Sequence, residues 1–434
     1  MIFLLSEKVS SRLRYSCDFI FRKVLGIPYQ FITDIPLHID QHQVIINYTT
    51  KVDAGLQILP SGLMEETGVN PQCVSVSDYN GAAVIFYSGK GDFPFDIFSM
   101  VFYFLSRYEE YSDFKPDQHG RFPASESLAH KHGFLQVPVV DRAIRVFGYW
   151  LKKNNSHIEI KSPHFDYHST IDIDNAYAVK GKSLGRVLGG ALKSFFKLNF
   201  SSVAQRFAVY FGNQPDPFDA YDFQIKLAEE FKVPLTYFVL YTQNGKFDRS
   251  LTPGNKTFER LIDQLVKRSV VGVHPSYDSC ENHVALKQQI EFLGRNRGKI
   301  IRSRQHFLRM RFPQTPKQLL KLGIESDYSM GFATHNGFRA GTAYSFPFYD
   351  FTDEKITGLI FIPFQIMDSV FYDQKGESAL TAWNEIVKIA DTIRETGGTF
   401  VSVWHDRAFD EKSYSGWKAC YQKLHQYCGN DSLS

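Results

Sequence analysis

The sequence predicts an α/β protein. An irregular (β/α) barrel of about seven strands is expected over residues 160–430, preceded by a smaller α+β domain over residues 1–155. Three observations predict it. First, from residue 160 onward, short β-branched and aromatic runs alternate with longer runs of helical period, the pattern of a parallel sheet with crossover helices. The strand runs fall at 165–173, 235–240, 270–273, 299–303, 323–327, 357–363 and 399–404. The helical runs fall at 219–231, 255–268, 281–293, 315–321, 377–395 and 412–427. Second, that number of strands is near barrel size, with an open doubly wound sheet as the competing architecture. Third, polar residues stand where buried strands should surface. Asp172 and Asp174 close the first run, and His274 follows Val270-Val271-Gly272-Val273. Arg304 and His306 follow Lys299-Ile300-Ile301-Arg302, and His405 follows Phe400-Val401-Ser402-Val403-Trp404. The C-terminal strand ends of a barrel converge on one mouth, which holds the chemistry. Two Asp, three His and one Arg meeting there would suit a metal-assisted hydrolase.

The first third reads as mixed α+β. Val44-Ile45-Ile46-Asn47-Tyr48 and Ala82-Ala83-Val84-Ile85-Phe86-Tyr87 have strand composition. Residues 95–105 form a strongly apolar helix, and 139–153 a second helix with apolar positions at three-to-four spacing. The polar segment Lys152-Lys153-Asn154-Asn155-Ser156 marks the boundary.

With 434 residues the chain can form two domains and a sizeable core. A net charge of +3 is too small to argue for nucleic acid. The 39 Phe and 23 Tyr belong mostly to a core, although sugar sites also use rings. Five scattered Cys without Cys-x-x-Cys spacing favour ordinary thiols in a reducing cytoplasm over disulfides or Cys-ligated zinc. The opening Met1-Ile2-Phe3-Leu4-Leu5 is too short an apolar run for a secretory signal, and no stretch has the length of a membrane span. A cytoplasmic protein is expected.

Residues 180–212 read as a helical insertion. Between Asp174 and Asp216 there is no acidic residue, whereas Lys180, Lys182, Arg186, Lys193, Lys197 and Arg206 are basic. Leu184, Val187, Leu188, Ala191, Leu192, Phe195 and Phe196 recur at helical spacing. The simpler reading is a helix packed on the barrel wall with a solvated basic face. The other is a basic amphipathic helix on the inner, anionic face of a membrane, of use to an enzyme acting on a lipid-linked sugar.

Each candidate site residue has a functional and a plain reading. Asp172 and Asp174 alternate along a strand, so both face one side. Two carboxylates in one environment resist double ionisation unless a cation separates their roles; the plain alternative is a turn Asp beside a bystander. His274 suits a zinc ligand or a satisfied buried His. Ser276 can meet a substrate or cap the next helix. Arg304 would orient a catalytic carboxylate and His306 would complete a metal site. Together Arg302, Arg304, Arg309 and Arg311 also read as a solvated basic loop. Arg339, between Gly337 and Gly341, can clamp an anion where backbone approaches a ligand, or belong to a turn. His405 is a candidate general acid, with Asp406 or Asp327 setting its pKa.

The order of these residues over 165–410 resembles the polysaccharide deacetylase family. The resemblance implies an irregular (β/α) barrel that removes N- or O-acetyl groups from sugars with a divalent metal. It implies Asp172 as base, Asp174 as metal ligand, His274 and Arg304 as the middle motifs and His405 as acid. The N-terminal third, with Ser106-Arg107-Tyr108-Glu109-Glu110-Tyr111 and Gly120-Arg121-Phe122, is similar to an uncharacterised domain preceding divergent, Bacteroidetes-type members. Two departures stand out. Ile173 separates the usually adjacent Asp pair, and Asp278 replaces the second His four residues after the first. The third metal ligand is then His306 or Asp278, with His306 favoured for its place at a strand end.

The expected function is deacetylation of an amino sugar in a cell-surface glycan or its precursor. Asp174, His274 and His306 would hold a divalent metal, zinc by preference. Asp172 would act as base, His405 as acid and Arg304 as the orienting cation. Arg339, Ser276, Trp404 and Asp327 would line the substrate site. The expected partner is a carbohydrate, not nucleic acid. The alternatives are a non-catalytic barrel that binds a glycan or partner, and a glycoside hydrolase using two carboxylates.

Overall fold

A computed structural model describes residues 1–36, 38, 40–196, 198 and 200–429. The chain opens with β1 (Ile2–Leu5), followed by β2 (Tyr29–Ile32), β3 (Val44–Asn47) and β4 (Leu56–Gln57). These form a parallel sheet in the order β2-β1-β3-β4. The opening apolar run is thus an inner strand. Ile2 and Leu4 enter the main core, while Phe3 and Leu5 pack with Ile45 on the other face, the period-two alternation of a strand covered on both sides. A hairpin follows, β5 (Ser77–Tyr79) with β6 (Ala82–Val84). The helix Ile97–Leu105 is buried at every residue. Its N-cap Asp96 accepts from the Ser99 amide at 3.0 Å and from the Tyr48 hydroxyl at 2.8 Å, satisfying an end that water does not reach.

The second sheet contains β7 (Phe165–Ile173), β8 (Leu235–Val239), β9 (Val270–Val273), β10 (Arg302–Ser303), β11 (Ser326–Asp327), β12 (Phe346–Asp350), β13 (Lys355–Phe361), β14 (Ile366–Met367) and β15 (Gly398–His405). Their order is β12-β13-β11-β10-β9-β8-β7-β15-β14, nine strands where the sequence led us to expect seven. The seven expected strands are all present, and β12 and β14 are the additions. Every neighbouring pair is parallel except β12–β13. Among the described residues β12 and β14 do not pair, so the sheet curls as a half-barrel and stays open at that seam, where an irregular (β/α) barrel was expected. The reason is β12, which doubles back antiparallel on β13 and is covered by the N-terminal region. The Tyr15 hydroxyl donates to the Pro347 carbonyl at 2.7 Å, and the Phe102 and Tyr349 rings stand 4.9 Å apart edge to face.

Each sheet lies on its own side of the expected boundary near residue 155, but the core does not divide there. One hydrophobic cluster joins Ile2, Phe98 and Phe147 to Phe165, Phe346 and Phe400. Polar contacts reinforce the junction. Asp141 accepts from the Thr342 hydroxyl and the Ala343 amide, and Arg145 donates to the Thr396 carbonyl at 2.8 Å.

Register fixes the mouth of the sheet. His405 on β15 pairs with Asp172 on β7, Val239 with Val273, and Val273 with Ser303. Asp172, His405, His274 and Arg304 therefore leave the sheet at one level. Helices 221–230, 256–268, 283–294, 314–321 and 379–396 make crossovers between strands and 417–429 follows the last strand, all close to the expected bounds.

Candidate active site

A cleft of about 500 Å³ opens at that level. Its lining includes Asp172, Asp174, His274, His306 and His405 from the second sheet, and Gln118, His119 and Arg121 from the N-terminal region. Asp172 is buried, and its Oδ1 accepts from Arg304 Nη1 at 2.8 Å. Arg304 is itself fixed by donating Nε–H to the Tyr328 carbonyl at 3.0 Å and by lying over the Phe238 ring. A cation this buried needs such partners to offset its desolvation. Arg304 and Arg309 are both buried, so the solvated-loop reading of this Arg-rich segment does not hold.

Asp174, one residue beyond β7, is the focus. Its Oδ1 lies 3.3 Å from His274 Nε2 and 3.5 Å from His306 Nε2, and its Oδ2 lies 4.0 Å from His405 Nε2. The other ring nitrogen of each middle His decides what faces Asp174. His274 Nδ1 stands 2.5 Å from the Arg304 carbonyl, and His306 Nδ1 stands 2.8 Å from Asp248 Oδ1. Both partners are acceptors only, so each Nδ1 must carry the hydrogen. In the neutral imidazoles each Nε2 then presents a lone pair to the Asp174 oxygen. Three electron-pair donors converging on one point are the requirements of a cation. Asp174 Oδ1 is buried without a hydrogen bond, which agrees. The cleft-lining atoms Asn175 Oδ1 and Gln305 Nε2 are likewise buried and unbonded.

Among the described residues, the group able to hold a metal is Asp174, His274 and His306. Asp278 is exposed on the turn after β9 and stands apart from it. Burial works against ionisation of Asp174, but the surrounding His306, His274 and His405 drive its carboxyl far below the usual range. Burial lowers the His274 pKa, yet Asp172 and Asp174 together raise it. These directions describe protons doing the work of a cation; a bound ion would displace them.

His405 faces Asp174 from β15. Its Nδ1 lies 2.6 Å from Asp368 Oδ1, and its amide donates to Asp368 Oδ2 at 2.8 Å. Burial opposes protonation, but Asp368 outweighs it and pushes the imidazole up to about 9. Asp368 therefore holds the place we had expected for Asp406 or Asp327. Asp406 accepts from the Asn175 amide, and burial with the nearby Asp174 charge pushes its carboxyl up to about 7.

The four residues expected to bind substrate are not in the cleft wall. Asp327 is buried beneath the sheet end, accepting from the Ser303 hydroxyl at 2.6 Å and the Ser329 amide at 2.9 Å. Ser276 exchanges hydrogen bonds with Gln289, its amide and Oγ meeting the Gln289 side chain at 2.8 and 2.7 Å; it stands at the N-cap position of the short helix Tyr277–Cys280, but its hydroxyl makes no capping bond there. Trp404 is a core residue among Phe409, Trp417 and Tyr421, and its indole N–H donates to Ser402. Side chains on β15 alternate, so Trp404 points away from the face His405 serves. Arg339 is bound by Glu110 of the N-terminal region, at 2.9 and 2.6 Å through both carboxylate oxygens. Its flanking glycine makes a close approach, but to protein. A Cβ on Gly337, at φ +135, would stand 2.3 Å from the Leu135 carbonyl.

The sequence reading missed an aromatic wall. Phe247 and Tyr277 have ring centroids 4.1 Å apart, with Phe307 at 5.5 and 5.3 Å and His119 at 5.8 and 5.7 Å from them. Phe307, next to His306, has φ +58, and Leu308 has φ +54. Such backbone is costly for residues with a Cβ and persists only where surroundings enforce it. Here Arg121 Nη1 donates to the Phe307 carbonyl at 2.7 Å, and Asp117 holds the same guanidinium at 2.7 Å. No periodic pattern could have signalled this clamp, which joins residues 186 positions apart.

Residues 2–156 match the model of a family of unknown function, DUF7033. No curated protein matches the chain. Among solved structures it is similar to a protein from Mycobacterium smegmatis assigned as a polysaccharide deacetylase, with 14% identity over 63% of this chain and 93% of that one, at a TM-score of 0.38. It is also similar to PuuE allantoinase, with 10% identity over 61% and 84% of the two chains at a TM-score of 0.39. A probable polysaccharide deacetylase from Pseudomonas aeruginosa PAO1 is similar at 11% identity, over 61% and 85%, with a TM-score of 0.38.

Proposed function

We propose that the protein is a metal-dependent carbohydrate deacetylase, removing an acetyl group from an amino sugar of a cell-surface glycan or its precursor. The observation that supports this reading is the convergence of Asp174 Oδ1 with the Nε2 atoms of His274 and His306, flanked by Asp172–Arg304 on one side and His405–Asp368 on the other. A divalent ion held by those three residues, zinc by preference, would supply Lewis acidity to an acyl carbonyl and acidify a water beside it.

The chain's own groups do the rest. Arg304 anchors Asp172 Oδ1 and leaves Oδ2, 3.9 Å from His274 Nε2, to take a proton from the attacking water. His405, its Nδ1 tied to Asp368, keeps Nε2 toward the cleft. An imidazole pushed up to about 9 carries a proton at neutral pH, available to the departing amine. The products are acetate and a free amino sugar. The rings of Phe247 and Phe307, which line the cleft with Tyr277 packed behind them, offer faces on which a sugar can stack.

The test is acetate release from N-acetylated amino-sugar oligosaccharides by zinc-loaded protein. Asp172→Asn should slow turnover by about 10²-fold or more with KM little changed. Turnover indifferent to chelator, or equal in Asp172→Asn, would refute the reading; chelator-insensitive turnover that still needs the carboxylates would favour a glycoside hydrolase.

A further inference from the structure

The insertion between β7 and β8 forms two antiparallel-packed helices, Leu184–Phe196 and Phe200–Tyr210. The first has two apolar stripes. Val187 and Ala191 are buried, Val187 in a small cluster with Val179 and Val209. That stripe accounts for the packing of the pair. The other stripe, Leu184, Leu188, Leu192, Phe195 and Phe196, is exposed, Leu192 at 56% and Phe196 at 76%. Phe200 and Phe211 extend it across the second helix, Phe211 at 69%. The helices therefore do not pack this stripe on the barrel wall, which was the simpler reading of the sequence. An apolar surface of this extent marks a contact with something else.

Charge points to what that is. From Asn175 to Pro215 the chain has no acidic residue and six basic ones, against +3 for the whole protein. Arg186 and Lys193 are exposed on the first helix; Lys197 lies outside the described residues. A second copy meeting this face would bring two such positive surfaces together, which like charges oppose. A bilayer with anionic headgroups offers both an apolar layer and the opposite charge. Neither helix is long enough to cross it, and no described helix qualifies as a span.

We propose that this helical pair lies in the surface of an anionic membrane. Its two feet, Asn175 and Phe218, both line the cleft, so docking sets the cleft mouth beside the lipid. On the deacetylase reading this names the substrate class: a glycan carried on a lipid. That consequence rests on the function proposed above, whereas membrane binding does not, and the test below reads binding alone.

The full chain is sedimented with vesicles of phosphatidylcholine, with and without phosphatidylglycerol. Partitioning should be about tenfold or more stronger on the anionic vesicles and should fall with salt. Leu188→Gln, Leu192→Gln and Phe196→Gln combined should abolish it with an unchanged thermal melt, since these side chains touch water. Arg186→Gln with Lys193→Gln should remove most of the anionic preference. No binding to either vesicle at low salt would overturn the proposal. So would a lowered melt in the triple variant, which would place the stripe inside the fold. A homodimer that the same variant dissociates would overturn it in favour of a second copy.

Discussion

Replacing Glu110 tests whether the N-terminal region and the second sheet are one cooperative body. The carboxylate sits between two guanidinium groups, bonded at 2.8 Å to Arg107 Nε and at 2.9 and 2.6 Å to Arg339. All three side chains are at most 3% exposed. With an effective dielectric constant of about 20, each attraction at about 4 Å is worth roughly 4 kcal/mol. Desolvation of three charges cancels much of the sum, and removing one partner of a buried pair typically costs about 3–5 kcal/mol. Glu110→Gln keeps the shape and one acceptor oxygen, so about 3 kcal/mol is expected, the low end of that range. Urea unfolding would be followed by tryptophan fluorescence and far-UV circular dichroism. Both curves should shift together, because the hydrophobic core is shared. Adding Arg339→Met should restore part of the loss, with a coupling of about 1–3 kcal/mol. A cost under 1 kcal/mol, or two separate transitions of which only one moves, would refute the reasoning and return Arg339 to the ligand-binding candidates.

Acid should weaken the fold through His425. This side chain is fully buried, with Nδ1 3.0 Å from the Tyr421 carbonyl and Nε2 unbonded. Burial lowers its pKa from 6.5 to about 4. The unfolded chain therefore binds the proton more tightly between those values, so the stability present above pH 6.5 is lost as pH falls toward 4. At pH 5 the loss is roughly 2 kcal/mol, and His425→Gln should flatten urea midpoints between pH 7 and 5 by that amount. An equally steep decline in the variant would contradict the assignment. Arg121→Met should release the Phe307 carbonyl, raising amide exchange of residues 305–309 about tenfold, consistent with loss of roughly one hydrogen bond to a charged group; unchanged exchange would show that the left-handed backbone needs no clamp. Asp368→Asn should lower the deacetylase turnover about 10²-fold or more by leaving His405 Nδ1 without a carboxylate, while Asp327→Asn should not. The reverse order would restore Asp327 as the partner of His405.

The site was legible where strand register controls it. Asp172, His274, Arg304 and His405 each end a run that the sequence shows as buried, and register then brings them to one level. His306 came with the same logic, two residues past Arg304. What the sequence hid lies in short or remote pieces. Strand β14 is two residues long, too brief for a period, and Asp368 immediately after it went unread for that reason. Asp248 sits in the loop after β8, Gly245-Lys246-Phe247-Asp248, which has no pattern to mark it. The partners of Arg339 and Phe307 come from the N-terminal region, and a single sequence carries no signal for a contact between segments 229 or 186 positions apart. The glycines around Arg339 suggest backbone closing on a ligand, but what stands against Gly337 is the Leu135 backbone.

The central claim is that Asp174, His274 and His306 bind a cation. Elemental analysis of purified protein, wild type beside His306→Ala and Asp278→Ala, tests it most directly. About one equivalent of zinc or a similar divalent ion should be found in the wild type and in Asp278→Ala, and lost in His306→Ala. No metal in the wild type after reconstitution, or metal retained without His306, would contradict the account.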